Sequence, residues 1–328
     1  MTQQETLNPF ASPLRIRRLL TSTPPALHHV LPGLLQGTVG MVAASGGTGK
    51  STFLLQLAFA LASGASVCGG LFSDVAPECA RNNEPVKVVY VAAEESETLL
   101  WHRMHAVVSH LFETDYPHLE QAERDELLNL FEQNVILFPL LGMSQTLLLD
   151  GAQQPTPAFW QLVKACEGAT LVLIDPVRQF HCGDENEAWN MTAFVQTMRI
   201  LAARTRATVL VAHHTNRAST QTGTGDAAGA ARGSTALTDG VRWQLNLSRI
   251  SPDLMRQYGI SSQEEKLYIQ ADIAKSNYLA PYPTRVLRRG GGGALSLVHA
   301  PSGVVKAKAT TAPSSKSYPR RTVKVGPA

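Results

Sequence analysis

Thr38-Val-Gly-Met-Val-Ala-Ala44-Ser-Gly-Gly-Thr-Gly-Lys50-Ser51-Thr52-Phe-Leu-Leu-Gln-Leu-Ala-Phe-Ala-Leu-Ala62 is the stretch that decides the fold. An apolar run, Thr38–Ala44, reads as a strand. A helical run starts at Lys50, and a glycine-rich turn joins the two. Strand, turn and helix in that order make the setting of a phosphate-binding loop. Gly46, Gly47 and Gly49 are expected to take left-handed angles and bring backbone N–H groups up to phosphate oxygens. Lys50 supplies a charge for the β- and γ-phosphates, and the Ser51 hydroxyl is a Mg²⁺ ligand. The helix N-terminus adds partial positive charge. The candidate nucleotide-binding set is Ser45, Gly46, Gly47, Thr48, Gly49, Lys50, Ser51 and Thr52, with ATP and Mg²⁺ as the implied ligands. Ala44 stands where the usual pattern has its first glycine; a small residue suffices to leave the strand.

Outward from this stretch, apolar and helical segments alternate. Strands are expected near Val86–Ala93, Val135–Phe138, Thr170–Ile174 and Thr208–Ala212. Helices are expected near Glu97–Phe112, Glu123–Phe131, Pro157–Cys166 and Asn190–Arg204. Continuous apolar strands separated by helices predict an α/β fold, a mostly parallel sheet covered on both faces. Beyond Asp239, Val241–Ile250 and Lys266–Ile273 alternate in polarity and read as antiparallel strands added at the C-terminal side. The first 25 residues, with prolines and no clear period, read as an arm. Residues 26–300 form the core domain, and 301–328 a basic tail rich in Pro, Ser, Lys and Thr that reads as disordered. Thr215–Gly233 is a polar, mobile loop.

Ligands bind beyond the carboxyl ends of parallel strands, so polar residues ending strands carry the chemistry. Leu171-Val-Leu-Ile-Asp175 ends in a carboxylate suited to hold Mg²⁺. Val88-Val-Tyr-Val-Ala-Ala-Glu94-Glu95 ends in two. Glu94, first after the apolar run, is the candidate to polarise an attacking water. Glu95 reads as a helix-entry residue, and both could serve only as solvated helix-entry carboxylates. Val209-Leu-Val-Ala-His213-His214 ends in histidines, one of which is suited to contact a γ-phosphate; the alternative is that both cap the strand. Arg232 closes the mobile loop and is either a surface arginine or a residue inserted into a neighbouring subunit's site. Lys275 is a second candidate for crossing that boundary. His102 and His105 read as surface histidines.

Composition narrows the class. The chain of 328 residues has 44% hydrophobic and 17% charged residues, ordinary for a globular protein. No apolar run approaches a membrane span, and Arg15, Arg17 and Arg18 precede no secretory apolar segment. Cys68, Cys79, Cys166 and Cys182 lack metal-ligand spacing and read as reduced thiols of a cytoplasmic protein. The 26 acidic residues all lie at or before Asp272, whereas ten of the 29 Lys and Arg follow it. Such a basic end can hold a polyanion or serve only as a solubilising tail.

Together these motifs resemble the RecA-type P-loop ATPases. More narrowly, Leu31-Pro-Gly-Leu-Leu-Gln-Gly-Thr-Val-Gly40, Ala93-Glu94, Leu173-Ile-Asp175, Arg178-Gln-Phe-His181, His213-His214, Ala231-Arg232-Gly-Ser-Thr, Val241-Arg-Trp243 and Lys275-Ser-Asn-Tyr278 resemble the RepA hexameric replicative DNA helicases of IncQ-type plasmids. The similarity runs from about Ala26 to Arg289. It implies a homo-hexamer with nucleotide between subunits, single-stranded DNA in the channel, and 5′→3′ unwinding in plasmid replication, with other replication proteins as possible partners. It also implies Glu94 as catalytic carboxylate, Asp175 as metal ligand, His214 as γ-phosphate sensor and Arg232 as the finger from the neighbour. The loop from His214 to Arg232 would face the channel, yet it has one basic residue, Arg217, and no aromatic, where DNA-tracking grooves often use several of each. The alternative function is a RecA-type ATPase with a regulatory or recombination role and no unwinding.

Overall fold

A computed structural model describes residues 13–72, 86–143, 147–214, 235–278 and 281–300. Helix α1 (Ile16–Thr21) and the hairpin β1 (His29–Leu31) and β2 (Leu34–Leu35) precede the core. Then follow β3 (Val39–Ala44), α2 (Lys50–Ser63), β4 (Val88–Ala92), α3 (Glu97–Thr114), α4 (Gln121–Asn134), β5 (Val135–Pro139), α5 (Pro157–Ala165), β6 (Leu171–Asp175), α6 (Ala188–Thr205) and β7 (Thr208–His214). The chain continues through α7 (Thr235–Gly240), β8 (Trp243–Arg249), α8 (Pro252–Tyr258), β9 (Tyr268–Ser276), β10 (Arg285–Arg289) and β11 (Leu295–Val298). Arg232, Arg217 and the rest of 215–234, Cys79 and the tail 301–328 lie outside the described residues.

Among the described residues, nine strands form one sheet in the order β11-β10-β9-β8-β3-β7-β6-β4-β5. The pairs from β8 through β3, β7, β6 and β4 to β5 are all parallel. Thus the strand expected to begin an antiparallel addition, β8, joins β3 in parallel. The antiparallel part starts one strand later, at β9, and runs through β10 and β11. No helix among the described residues is long and apolar enough to cross a membrane.

Strand parity divides the core in two. Val42, Ala44, Tyr90, Leu171, Leu173, Leu210 and Ala212 face α2, α3 and α4, whereas Met41, Ala43, Val89, Val172, Ile174, Val209 and Val211 face α5 and α6. Both sets are buried, which explains why these strands are apolar without alternation. Helix α2 is buried on almost every side, as a helix apolar all round must be. It ends at Gly64 in a left-handed conformation. Side-chain caps fix several helix starts: the Ser96 hydroxyl accepts from Leu99 N–H at α3, and Thr156 from Phe159 N–H at α5, where Pro157 follows. Glu120 and Glu123 form a reciprocal capping box at α4.

The arm departs from expectation in one respect: α1 is regular helix, with Leu14, Ile16, Leu19 and Leu20 exposed. Its apolar residues fall at helical spacing, but the run is too short for periodicity to reveal. The β10–β11 hairpin and α8 were likewise not expected.

Candidate nucleotide site

The register brings the strand ends level. Ala44 pairs with His214 across β3 and β7, Ala92 with Asp175 across β4 and β6, and Ala93 N–H donates to Asp175 O at 2.9 Å. A cleft of about 460 Å³ opens there, lined by the loop, both glutamates and His214. That size suits a small ligand, for which clefts run roughly 300–1,000 Å³. A larger, mostly apolar hollow of about 580 Å³ lies between α3 and α4; no comparable group of strand-end carboxylates lines it.

Gly47 (φ 76°) and Gly49 (φ 103°) take left-handed angles, where a side chain would be strained. Gly46 does not, contrary to expectation. Ala44 completes β3 as a buried strand residue without positive φ, so the missing glycine costs the loop nothing. The Ser45 and Thr48 hydroxyls are hydrogen-bonded across the turn at 2.7 Å.

Lys50 and Asp175 meet at the cleft floor, the ammonium in direct contact with Oδ1; both are buried. Asp175 reaches α2 because it continues the parity of Leu171 and Leu173. Tyr90, on the same face of β4, donates its hydroxyl to Asp175 Oδ2 at 2.9 Å. Burial first, then the Asp175 charge, push the Tyr90 phenol well above its ordinary range, so it stays a donor.

The two glutamates differ. Glu94 is exposed at the mouth, its Oε1 accepting from Gln179 Nε2 at 3.2 Å. Glu95 stands at the entry to α3, just before its N-cap Ser96, and is buried rather than solvated, because Arg103 on α3 reaches back to it, Nε to Oε1 at 3.1 Å. Burial raises the Glu95 pKa; Arg103 opposes that rise, and the Asp175 charge adds to it. Arg103 also donates to Thr52 Oγ1 at 2.9 Å. Ser51, Asp175 and Glu95, whose Oε2 is buried and makes no hydrogen bond, offer the hard oxygen donors that Mg²⁺ takes.

The histidines separate by parity. His214 lines the cleft, whereas His213 points to the opposite face, buried, with Nδ1 3.8 Å from Glu185 Oε1. Nearby His181 is buried too, and burial lowers its pKa. Within its own chain Lys275, the second candidate to cross a subunit boundary, donates to Thr238 O at 2.7 Å and Asp239 O at 3.4 Å at the end of α7. His102 and His105 are exposed, and no metal-ligating cluster occurs among the described residues. Cys68 and Cys166 are buried free thiols, Cys166 pushed up to about 12 by burial.

Sequence reasoning missed Tyr90, Arg103, Gln179 and Arg289. Tyr90 was findable, since a phenol in an apolar strand needs a partner. The others act through tertiary contacts that carry no local signal.

A parallel sheet with a glycine-rich loop between β3 and α2, and strand-end carboxylates beside its lysine, defines a RecA-like P-loop ATPase fold. The chain belongs to the AAA domain family, whose model matches residues 3–220. Among solved structures it is similar to the ATPase domain of G40P, at 13% identity and a TM-score of 0.53, over 87% of this chain and 96% of that one. It is also similar to a DnaB-like replicative helicase studied with its interactions with primase, at 13% identity and a TM-score of 0.52. That match covers 80% of this chain and 57% of the helicase's length.

Proposed function

We propose that the chain is the ATP-hydrolysing subunit of a ring-shaped replicative DNA helicase of the IncQ-plasmid RepA kind. It would be a homo-hexamer moving 5′→3′ on single-stranded DNA. The observation that carries the ATPase part is the meeting of Lys50, Glu94, Glu95 and His214 in one cleft at level strand ends, with Asp175 in contact with Lys50. The helicase part is supported by the ordered motif set and by the kind of protein, a DnaB-like replicative helicase, that shares the fold.

In this reading the N–H groups of Ser45–Thr52 and the Lys50 ammonium bind the β- and γ-phosphates. Mg²⁺, held by Ser51 and Asp175, would neutralise charge on the phosphoryl oxygens. Tyr90 keeps the Asp175 carboxylate oriented. Glu94, steadied by Gln179 at the mouth, takes a proton from the water that attacks the γ-phosphorus as the bond to the bridging oxygen breaks. His214 hydrogen-bonds the γ-phosphate and is positioned by β7 to relay its departure to residues 215–234. Arg232 from a neighbouring subunit balances the charge of the transition state.

The test is ATPase activity with and without single-stranded DNA, together with unwinding of a forked duplex and the mass of the native assembly. DNA-stimulated hydrolysis, unwinding and a six-subunit mass are expected. Hydrolysis with neither stimulation nor unwinding would instead mark a regulatory or recombination ATPase.

A further inference from the structure

The hairpin of β10 and β11 reaches back to the phosphate loop. Arg289, the last residue of β10, donates from Nη2 to Gly47 O at 3.1 Å and to Thr48 O at 2.8 Å. The hairpin is itself fastened to the helices behind the loop. Gln56 on α2 bonds both backbone groups of Leu295, donating to its carbonyl at 3.0 Å and accepting from its N–H at 2.7 Å. Ser296 Oγ and His110 Nε2 on α3 are 2.9 Å apart. At the hairpin turn, Gly292 (φ +64°) lies so close to α3 that a Cβ there would stand 2.3 Å from Ala106 Cβ. Arg289 and the turn line the cleft wall beside the loop.

A turn that aims N–H groups at an anion leaves its carbonyls for other partners, and Arg289 takes two of them. The glycines that give the loop its shape also leave it the most freedom to lose on ordering. A cation on an anchored hairpin removes much of that freedom in advance, and preorganisation of this kind raises affinity. We infer that Arg289 is a positioning residue that holds the phosphate loop in its phosphate-receiving shape, making the β10–β11 hairpin a working part of its own subunit's nucleotide site. The inference rests on reading the cleft as a triphosphate site. Arg289 acts through the loop and leaves Lys50, Glu94 and Asp175 in place, so its removal weakens binding and spares turnover at saturation.

The experiment is a titration of the full-length protein with a fluorescent ADP analogue and Mg²⁺, paired with steady-state ATP hydrolysis. Arg289→Ala should weaken ADP binding about tenfold, about 1.4 kcal/mol, with a parallel rise in KM. Arg289→Lys, which keeps the charge but not the fork, should fall between wild type and Arg289→Ala. Gly292→Ala should push the turn off α3 and weaken binding in the same sense, and a second change, Ala106→Gly, should recover part of it. Thermal melts of Arg289→Lys without nucleotide should match wild type, so that its affinity change reports the loop rather than the fold. Equal ADP affinity in wild type and Arg289→Ala would overturn the inference, as would a lowered kcat at unchanged KM. Absence of any ADP binding by the wild type would instead overturn the reading of the cleft.

Discussion

Lys50 and Asp175 lie 125 positions apart in the chain and in direct contact at the floor of the cleft, each less than a tenth exposed. One opens a helix and the other ends a strand, so the contact measures how accurately α2 seats on β6. Lys50→Ala should abolish hydrolysis. Asp175→Asn should also destabilise the fold by about 3–5 kcal/mol, because it leaves a buried ammonium without its counter-charge. Urea denaturation of Asp175→Asn and of the double variant Lys50→Met/Asp175→Asn checks this: the double variant should be the more stable of the two.

Glu94→Gln preserves shape and hydrogen bonding but not basicity. Nucleotide binding should be retained, with turnover slowed by about 10²- to 10⁴-fold. Equilibrium binding alongside single-turnover hydrolysis reads the two effects apart, and normal turnover would remove Glu94 from its role.

The raised pKa of Glu95 gives the site an acid limit. A carboxyl whose folded-state pKa lies above its unfolded value binds its proton more tightly when folded. Its contribution to stability is therefore fully present below the ordinary glutamate range and is lost as pH rises through the raised value. Function runs the other way, because Arg103 and Mg²⁺ both favour the carboxylate. Mg²⁺-dependent nucleotide binding should weaken as pH falls through that raised value. A pH series of the Mg²⁺ titration should show the limit in wild type and lose it in Glu95→Gln.

Arg232 and Lys50 fall on opposite sides of a subunit boundary in the proposed ring. Mixing inactive Arg232→Ala and Lys50→Ala subunits should restore part of the ATPase activity, since some interfaces then carry neither defect. A titration of one variant into the other at fixed total protein measures this, and absence of recovery would count against action in trans.

The sheet was legible because its strands are buried on both faces: Val88–Ala92 and Leu171–Asp175 have no charged residue before their ends. Polarity arriving at Asp175, Glu94 and His214 then marked where the chain meets a ligand. The order of Glu94 and Glu95 did not reveal which one is buried, since that depends on Arg103 reaching back from α3. The Arg289 contact was hidden for a similar reason. It joins residues more than 240 positions apart, and a basic residue ending an alternating strand resembles any exposed one. The partners of Lys275 within its own chain were hidden too, because they are backbone carbonyls, which leave no trace in side-chain composition.

Strand parity governs more than the histidine pair. His214 faces the cleft and His213 the opposite core only because β7 holds its count from Thr208 onward. The same arithmetic sets Asp175 against Lys50. Losing or gaining one residue within β6 or β7 would exchange the faces and send the chemistry into the wrong half of the interior, with every side chain still present. The connections between strands carry no such constraint. Change in length is therefore confined to the loops, while the short apolar strands, whose individual side chains look interchangeable, are fixed in number.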